Sequence, residues 1–156
     1  MRAVVAHGAG DFRVEEMPDP PLEGGAVVSM EAAGVCAADR MIYKGDSPWE
    51  LTFPFIPGHE NVGTIVELDR DAGQRWGVTE GDMVVNEVMV PCGVCPLCRR
   101  QRFLLCRYGR HIGSSVPGGW AERMAIPPEA RVWRVPSGLA PEEAVAAEPL
   151  ACGIHG

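Results

Sequence analysis

Apolar residues in this chain fall in short runs, with no long helical stripe. Ala3–Ala6, Ala26–Ala33, Asn61–Leu68, Met83–Val90 and Ala121–Ile126 are rich in small and β-branched residues, and turn residues bound them. Gly24-Gly25 precedes the second run, Gly81-Asp82 the fourth, and Pro127-Pro128 follows the fifth. Runs of this length between glycine and proline punctuation predict strands joined by turns. The expected fold is mainly β, a partly closed antiparallel barrel with a few short helices. One helix is predicted from about Pro141, where Pro-Glu-Glu sets negative charge at the positive end of the helix dipole. No repeat or low-complexity tract interrupts the pattern.

Composition narrows the functional classes. The chain has 156 residues, enough for one domain spanning 1–156, and a formal net charge of -7. A field of that sign disfavours nucleic acid and anionic membrane. No apolar run approaches the roughly 20 residues of a membrane-spanning helix. The opening Met1-Arg2-Ala3-Val4-Val5 is too short for a secretory signal. A cytoplasmic protein with neither nucleic-acid nor membrane partners is therefore expected.

The 6 cysteines carry the chemistry. Cys92, Cys95, Cys98 and Cys106 crowd into a lobe over residues 91–110, while Cys36 and Cys152 stand apart. Two-residue spacers let successive thiolates wrap one ion, and zinc favours four such ligands in a tetrahedron. Two disulfides among cysteines so close would be strained. A nucleic-acid zinc ribbon would show two separated knuckles, and iron–sulfur clusters use related spacings. A closed structural zinc site is the preferred reading. Arg99, Arg100, Arg102 and Arg107 are placed to offset the negative charge of a tetrathiolate centre.

Other possible ligands are dispersed. Cys36 follows a predicted strand in Gly34-Val35-Cys36-Ala37-Ala38-Asp39, and His59-Glu60 precede the next in Pro57-Gly58-His59-Glu60. Thiolate, imidazole and carboxylate all bind zinc, and a catalytic zinc keeps one position open beyond three protein ligands. Gly-x-Cys-x-x-Asp, Gly58-His59-Glu60-x-x-Gly63, Gly81-Asp82-x-Val84, the four-cysteine lobe, Gly118-Gly119-Trp120-Ala121-Glu122 and Glu148-Pro149-Leu150 occur here in order. Together they resemble the zinc-dependent medium-chain alcohol dehydrogenases, whose first domain is a GroES-like barrel. The resemblance covers essentially the whole chain.

The resemblance implies two zinc ions per chain, one structural and one catalytic. Cys36 and His59 would be permanent ligands of the catalytic zinc, and Glu60 a direct or alternating one. Asp39 would accept a hydrogen bond from the far nitrogen of His59, fixing its tautomer. Glu148 matches a further ligand position, and glutamate there resembles the sorbitol, threonine and glucose dehydrogenase branch. Cys152 is the chemical rival, being the softer ligand. Pro149 is expected to break the turn that would align the two, leaving Cys152 a small buried residue. The implied reaction passes hydride from an alcohol or polyol held on zinc to NAD or NADP. The implied full-length protein is a homo-oligomer.

Two positions depart from the family. Ala38 stands where a Ser or Thr hydroxyl usually begins a proton relay, and Met41 where a histidine is often found. Tyr43, Glu60 or a water could take over that role. No Gly-x-Gly-x-x-Gly follows a strand, so no dinucleotide site is expected within these residues. The resemblance implies a Rossmann domain and a return of the chain to the first domain, both expected to be absent from these residues. The last residues, Glu148 to Gly156, are expected to be a segment that continues, so this polypeptide should bind zinc without turning over. A stand-alone zinc-binding structural or interaction module is the alternative. Trp49, Phe53 and Phe55 are read as packing residues, and His7, His111 and His155 as non-ligands.

Overall fold

The computed structural model describes residues 1–155. Strands β1 (Arg2–Gly8) and β2 (Asp11–Glu16) form an antiparallel hairpin. β3 (Ala26–Ala33) and β4 (Asn61–Leu68) occupy the two predicted runs with the predicted bounds. They pair antiparallel at the centre of a five-stranded sheet ordered β8-β3-β4-β5-β9, with β5 at Met83–Asn86, β8 at Arg123–Ile126 and β9 at Val132–Arg134.

The inner face of this sheet builds the main core. Val28, Ile65, Val84, Ile112, Met124 and Ile126 are all buried in one cluster. Fully burying such side chains stabilises the fold by roughly 1.5–3 kcal/mol each. The sheets do not close into a ring. β1 meets the rest through the lone bridges Ala3–Ala121 and Ala6–Phe55, so the expected barrel is open on this side.

The predicted run Met83–Val90 is two strands. After Asn86 the chain leaves the main sheet, and β6 (Met89–Val90) pairs instead with β7 (Arg110–His111). That departure opens and closes the cysteine lobe, which holds helix α3 (Pro96–Arg99) and a 3-10 turn at Phe103–Leu105.

Two helices were not foreseen. α1 (Ala37–Lys44) starts at Cys36 and ends at Gly45, whose φ of 76° suits a residue without a Cβ. α2 (Arg70–Trp76) is capped by Asp69, whose carboxylate accepts the N–H groups of Asp71 and Ala72. The helix expected from Pro141 comes in two pieces, α4 (Pro141–Ala144) and α5 (Ala147–His155). Pro149 does not interrupt α5. It lies in the first turn, where the missing N–H has no helical partner to lose.

Candidate metal centres

The register of β3 and β4 makes the dispersed site. Ala33 pairs with Asn61, so the end of one strand lies beside the start of the next. The Gly34 N–H donates to the Glu60 carbonyl at 2.8 Å and extends the ladder past the strands. Cys36 then begins α1 on one side, while His59 and Glu60 lead into β4 on the other. Their three ligand atoms all lie within 4.8 Å of one another, each residue half-buried. Gly34 leaves room for this: a Cβ there would strike the Glu60 carboxylate.

Asp39 sits beneath the cluster and is 2% exposed. Its Oδ2 accepts the Cys36 backbone N–H at 2.8 Å. Its Oδ1 stands 3.8 Å from His59 Nδ1 and has no hydrogen-bond partner. The hydrogen bond to His59 that the resemblance implied is therefore not formed at this separation. Burial pushes the Asp39 carboxyl above its ordinary range, against the Cys36 N–H and His59, which favour the charged form.

Glu148 is not among the three clustered ligands. It is half-buried on α5, where its Oε1 accepts the Cys152 thiol at 3.3 Å. The unbroken helix aligns residues four apart, so the expected separation by Pro149 is corrected. Cys152 is exposed, not buried as expected. The Glu148 carboxylate holds its thiol protonated, raising it above the usual range.

The lobe brings its four sulfurs together. Sγ separations are 3.5 Å for Cys95–Cys98 and 4.0 Å for Cys92–Cys98 and Cys95–Cys106. Four thiolates at about 2.3 Å from one zinc ion stand about 3.8 Å apart in a tetrahedron, so the donor set and its spacing fit that metal. No cysteine is in a disulfide. The backbone N–H groups point at the sulfurs as well: Cys98 N donates to Cys95 Sγ at 3.4 Å and Cys92 N to Cys106 Sγ at 3.3 Å. The Cys98 N–H pulls the Cys95 thiol down to about 6. Burial, and competition with Cys95 for the shared proton, push Cys98 up to about 12. A cation among the four sulfurs would favour their thiolate forms.

Several supporting residues escaped the sequence reading. Arg131 lies 5.0 Å from the Phe103 ring and 5.1 Å from the Trp133 ring, and pairs with Glu87 at 3.2 Å. It thereby pins the lobe to β9. Buried Asn61 donates to the Gly58 carbonyl and shapes the turn before His59. Arg131 appears in the sequence only as an isolated charge, because Glu87 and Phe103 lie far along the chain. Among the aromatics, Phe55 is core, Phe53 stacks on it at 5.3 Å, and Trp49 is exposed. His7 contacts Glu15.

A sheet domain with a four-cysteine lobe and a separate cysteine–histidine–glutamate cluster has the form of a metal-holding domain. Residues 23–137 match the family model described as the alcohol dehydrogenase GroES-like domain. The chain belongs to this family, the zinc-dependent medium-chain alcohol dehydrogenases. It is 41% identical to an erythritol/L-threitol dehydrogenase of Mycolicibacterium smegmatis, over 99% of this chain and 46% of that protein. A sorbitol dehydrogenase of Halalkalibacterium halodurans is 33% identical over 99% of the chain and 45% of its own length. The crystal structure of galactitol-1-phosphate dehydrogenase from Escherichia coli superposes with a TM-score of 0.86 at 28% identity, covering 99% of this chain and 44% of that one. The chain thus spans less than half the length of these relatives.

Proposed function

We propose that this chain supplies the zinc-holding, substrate-side domain of an NAD- or NADP-dependent polyol dehydrogenase, with one zinc ion in each cluster. Convergence of Cys36 with the His59-Glu60 pair within 4.8 Å carries the reading, because the two segments are well separated in sequence. One thiolate, one imidazole and one carboxylate leave a position free for a substrate oxygen. When bound, zinc supplies Lewis acidity, which lowers the pKa of an alcohol hydroxyl.

The chain's own residues do the rest. Asp39 holds the Cys36 loop by accepting the Cys36 backbone N–H and presents its second oxygen toward His59. Glu60 is placed to take the hydroxyl proton, since neither Ala38 nor Met41 can pass one. Glu148 on α5 is the alternate to Glu60 as carboxylate ligand, with Cys152 donating to its carboxylate. The four-cysteine lobe ties its loop around a closed site and takes no part in the reaction.

The relatives' names favour small alcohols bearing several hydroxyls. The proposed partners are that substrate and a second copy of the full-length protein, and neither nucleic acid nor membrane. Among the described residues no helix is long and apolar enough to cross a membrane. The test is NAD- and NADP-dependent oxidation of erythritol, threitol and sorbitol by a protein carrying this chain and a cofactor domain. Activity on a polyol, abolished by Cys36→Ser, is expected. Cofactor-independent metal binding with no polyol oxidation would favour a zinc module without redox activity.

A further inference from the structure

We infer that Trp120 is a positioning residue for the Cys36–His59–Glu60 centre, an inference that rests on the reading of that cluster as a metal site. Its two ends hold the two loops that deliver the ligands. The Trp120 backbone N–H donates to the Pro57 carbonyl at 3.0 Å, two residues before His59. Its indole N–H donates to the Gly34 carbonyl at 2.9 Å, two residues before Cys36. Both loops are thereby referred to a single residue outside the cluster.

The glycines around it show how closely the parts are fitted. Gly118 N donates to the Ile56 carbonyl at 2.8 Å, and Gly119 N to the Gly58 carbonyl at 3.0 Å. A Cβ at Gly118 would run into the carbonyl oxygens of Pro57 and Gly58, and one at Gly58 would run into the Trp120 ring. Gly58 also has a φ of 94°, which a side chain would strain. The residue itself is anchored from behind, because its carbonyl accepts the Val4 N–H at 2.7 Å.

Tryptophan suits this post because it donates from the far edge of a large rigid ring. Without the indole bond, the Cys36 loop is joined directly to the Glu60 segment by the Gly34–Glu60 backbone bond, which acts as a pivot. A second bond on the other side of Gly34 removes that freedom. The distance between the Cys36 sulfur and the His59 ring is then set before any metal arrives. Trp120→Phe removes the donor and keeps an aromatic ring. Phe12, whose ring centroid is 6.3 Å from that of Trp120, offers the packing control.

The experiment measures release of zinc from each cluster of this chain to a chromogenic chelator, and the absorption bands of cobalt at the Cys36–His59–Glu60 site. Trp120→Phe is expected to release that zinc about 10-fold faster, the lower end of the usual effect of losing an outer hydrogen bond. Its cobalt bands should shift, while the four-cysteine site releases at the wild-type rate. Phe12→Leu should leave rates and bands unchanged. Wild-type release from Trp120→Phe, or equal acceleration at both clusters, would overturn the inference. A wild-type chain that loads only the four-cysteine site would instead overturn the reading of the cluster itself.

Discussion

Asp39 keeps one carboxylate oxygen on the Cys36 backbone N–H at 2.8 Å and turns the other, unpartnered, toward His59 Nδ1 at 3.8 Å. A ring movement of roughly 1 Å would bring the second pair to hydrogen-bonding distance. Because an unpaired buried acceptor is costly, the carboxylate favours that movement. Asp39→Asn keeps an acceptor for Cys36 and removes the charge facing His59. Zinc affinity at the Cys36–His59–Glu60 site should fall about 10–100-fold. Competition titration against a chelator of known affinity checks this, and wild-type affinity in the Asn variant would remove Asp39 from the site.

Glu148 and Cys152 are separable by the same kind of measurement. The thiol donates to the carboxylate, so Glu148 is the available acceptor for a metal and Cys152 its support. Glu148→Ala should weaken zinc retention in the dispersed site, and Cys152→Ala should change it by less than about threefold, because an exposed thiol is a weak donor. Loss of zinc from Cys152→Ala alone would reverse the two roles.

Zinc affinity of the lobe should steepen with falling pH. A thiol must lose its proton to bind, and Cys95, at about 6, has already done so at neutral pH, whereas Cys98, at about 12, has not. Cys98 therefore releases a proton on loading throughout the range from 5 to 8. Below about 6 Cys95 becomes protonated as well, and affinity falls by about one further factor of ten per unit of pH. A titration series across that range would show the break, and a constant slope would contradict it.

Arg131 holds the lobe against β9 through two aromatic faces and Glu87. Each cation–π contact contributes about 0.5–1 kcal/mol when partly exposed. Arg131→Ala should lower unfolding free energy by about 1–2 kcal/mol, read by denaturant titration. Arg131→Lys should recover only part of it, because the ammonium keeps the ion pair and loses the planar stack. Equal stability of all three proteins would mean the sandwich contributes nothing.

The central strands were legible because Ala26–Ala33 and Asn61–Leu68 are strand-length runs rich in small and β-branched residues, and the pairing of Ala33 with Asn61 brings Cys36 to His59. The cysteine lobe was legible for a chemical reason, since its spacing suits one ion. β2 was not visible, because Asp11-Phe12-Arg13-Val14-Glu15-Glu16 alternates on a mostly exposed edge where charge masks the period. α1 and α2 are about two turns each, too short for a helical stripe, and only Asp69 and the glycines that end them give a signal. The Pro149 expectation failed because a proline in the first turn costs no hydrogen bond. Trp120 was visible as part of a motif, but its link to Gly34 depends on sheet topology that no local pattern encodes.

Metal analysis of the purified chain tests the account most directly. Two zinc ions per chain are predicted, with a chelator removing the ion from the Cys36–His59–Glu60 site first, because that site has one thiolate where the lobe has four. Cys36→Ser should then bring the count to one and leave the lobe loaded. A preparation without zinc and with its cysteines oxidised would contradict the account, as would loss of both ions in Cys36→Ser.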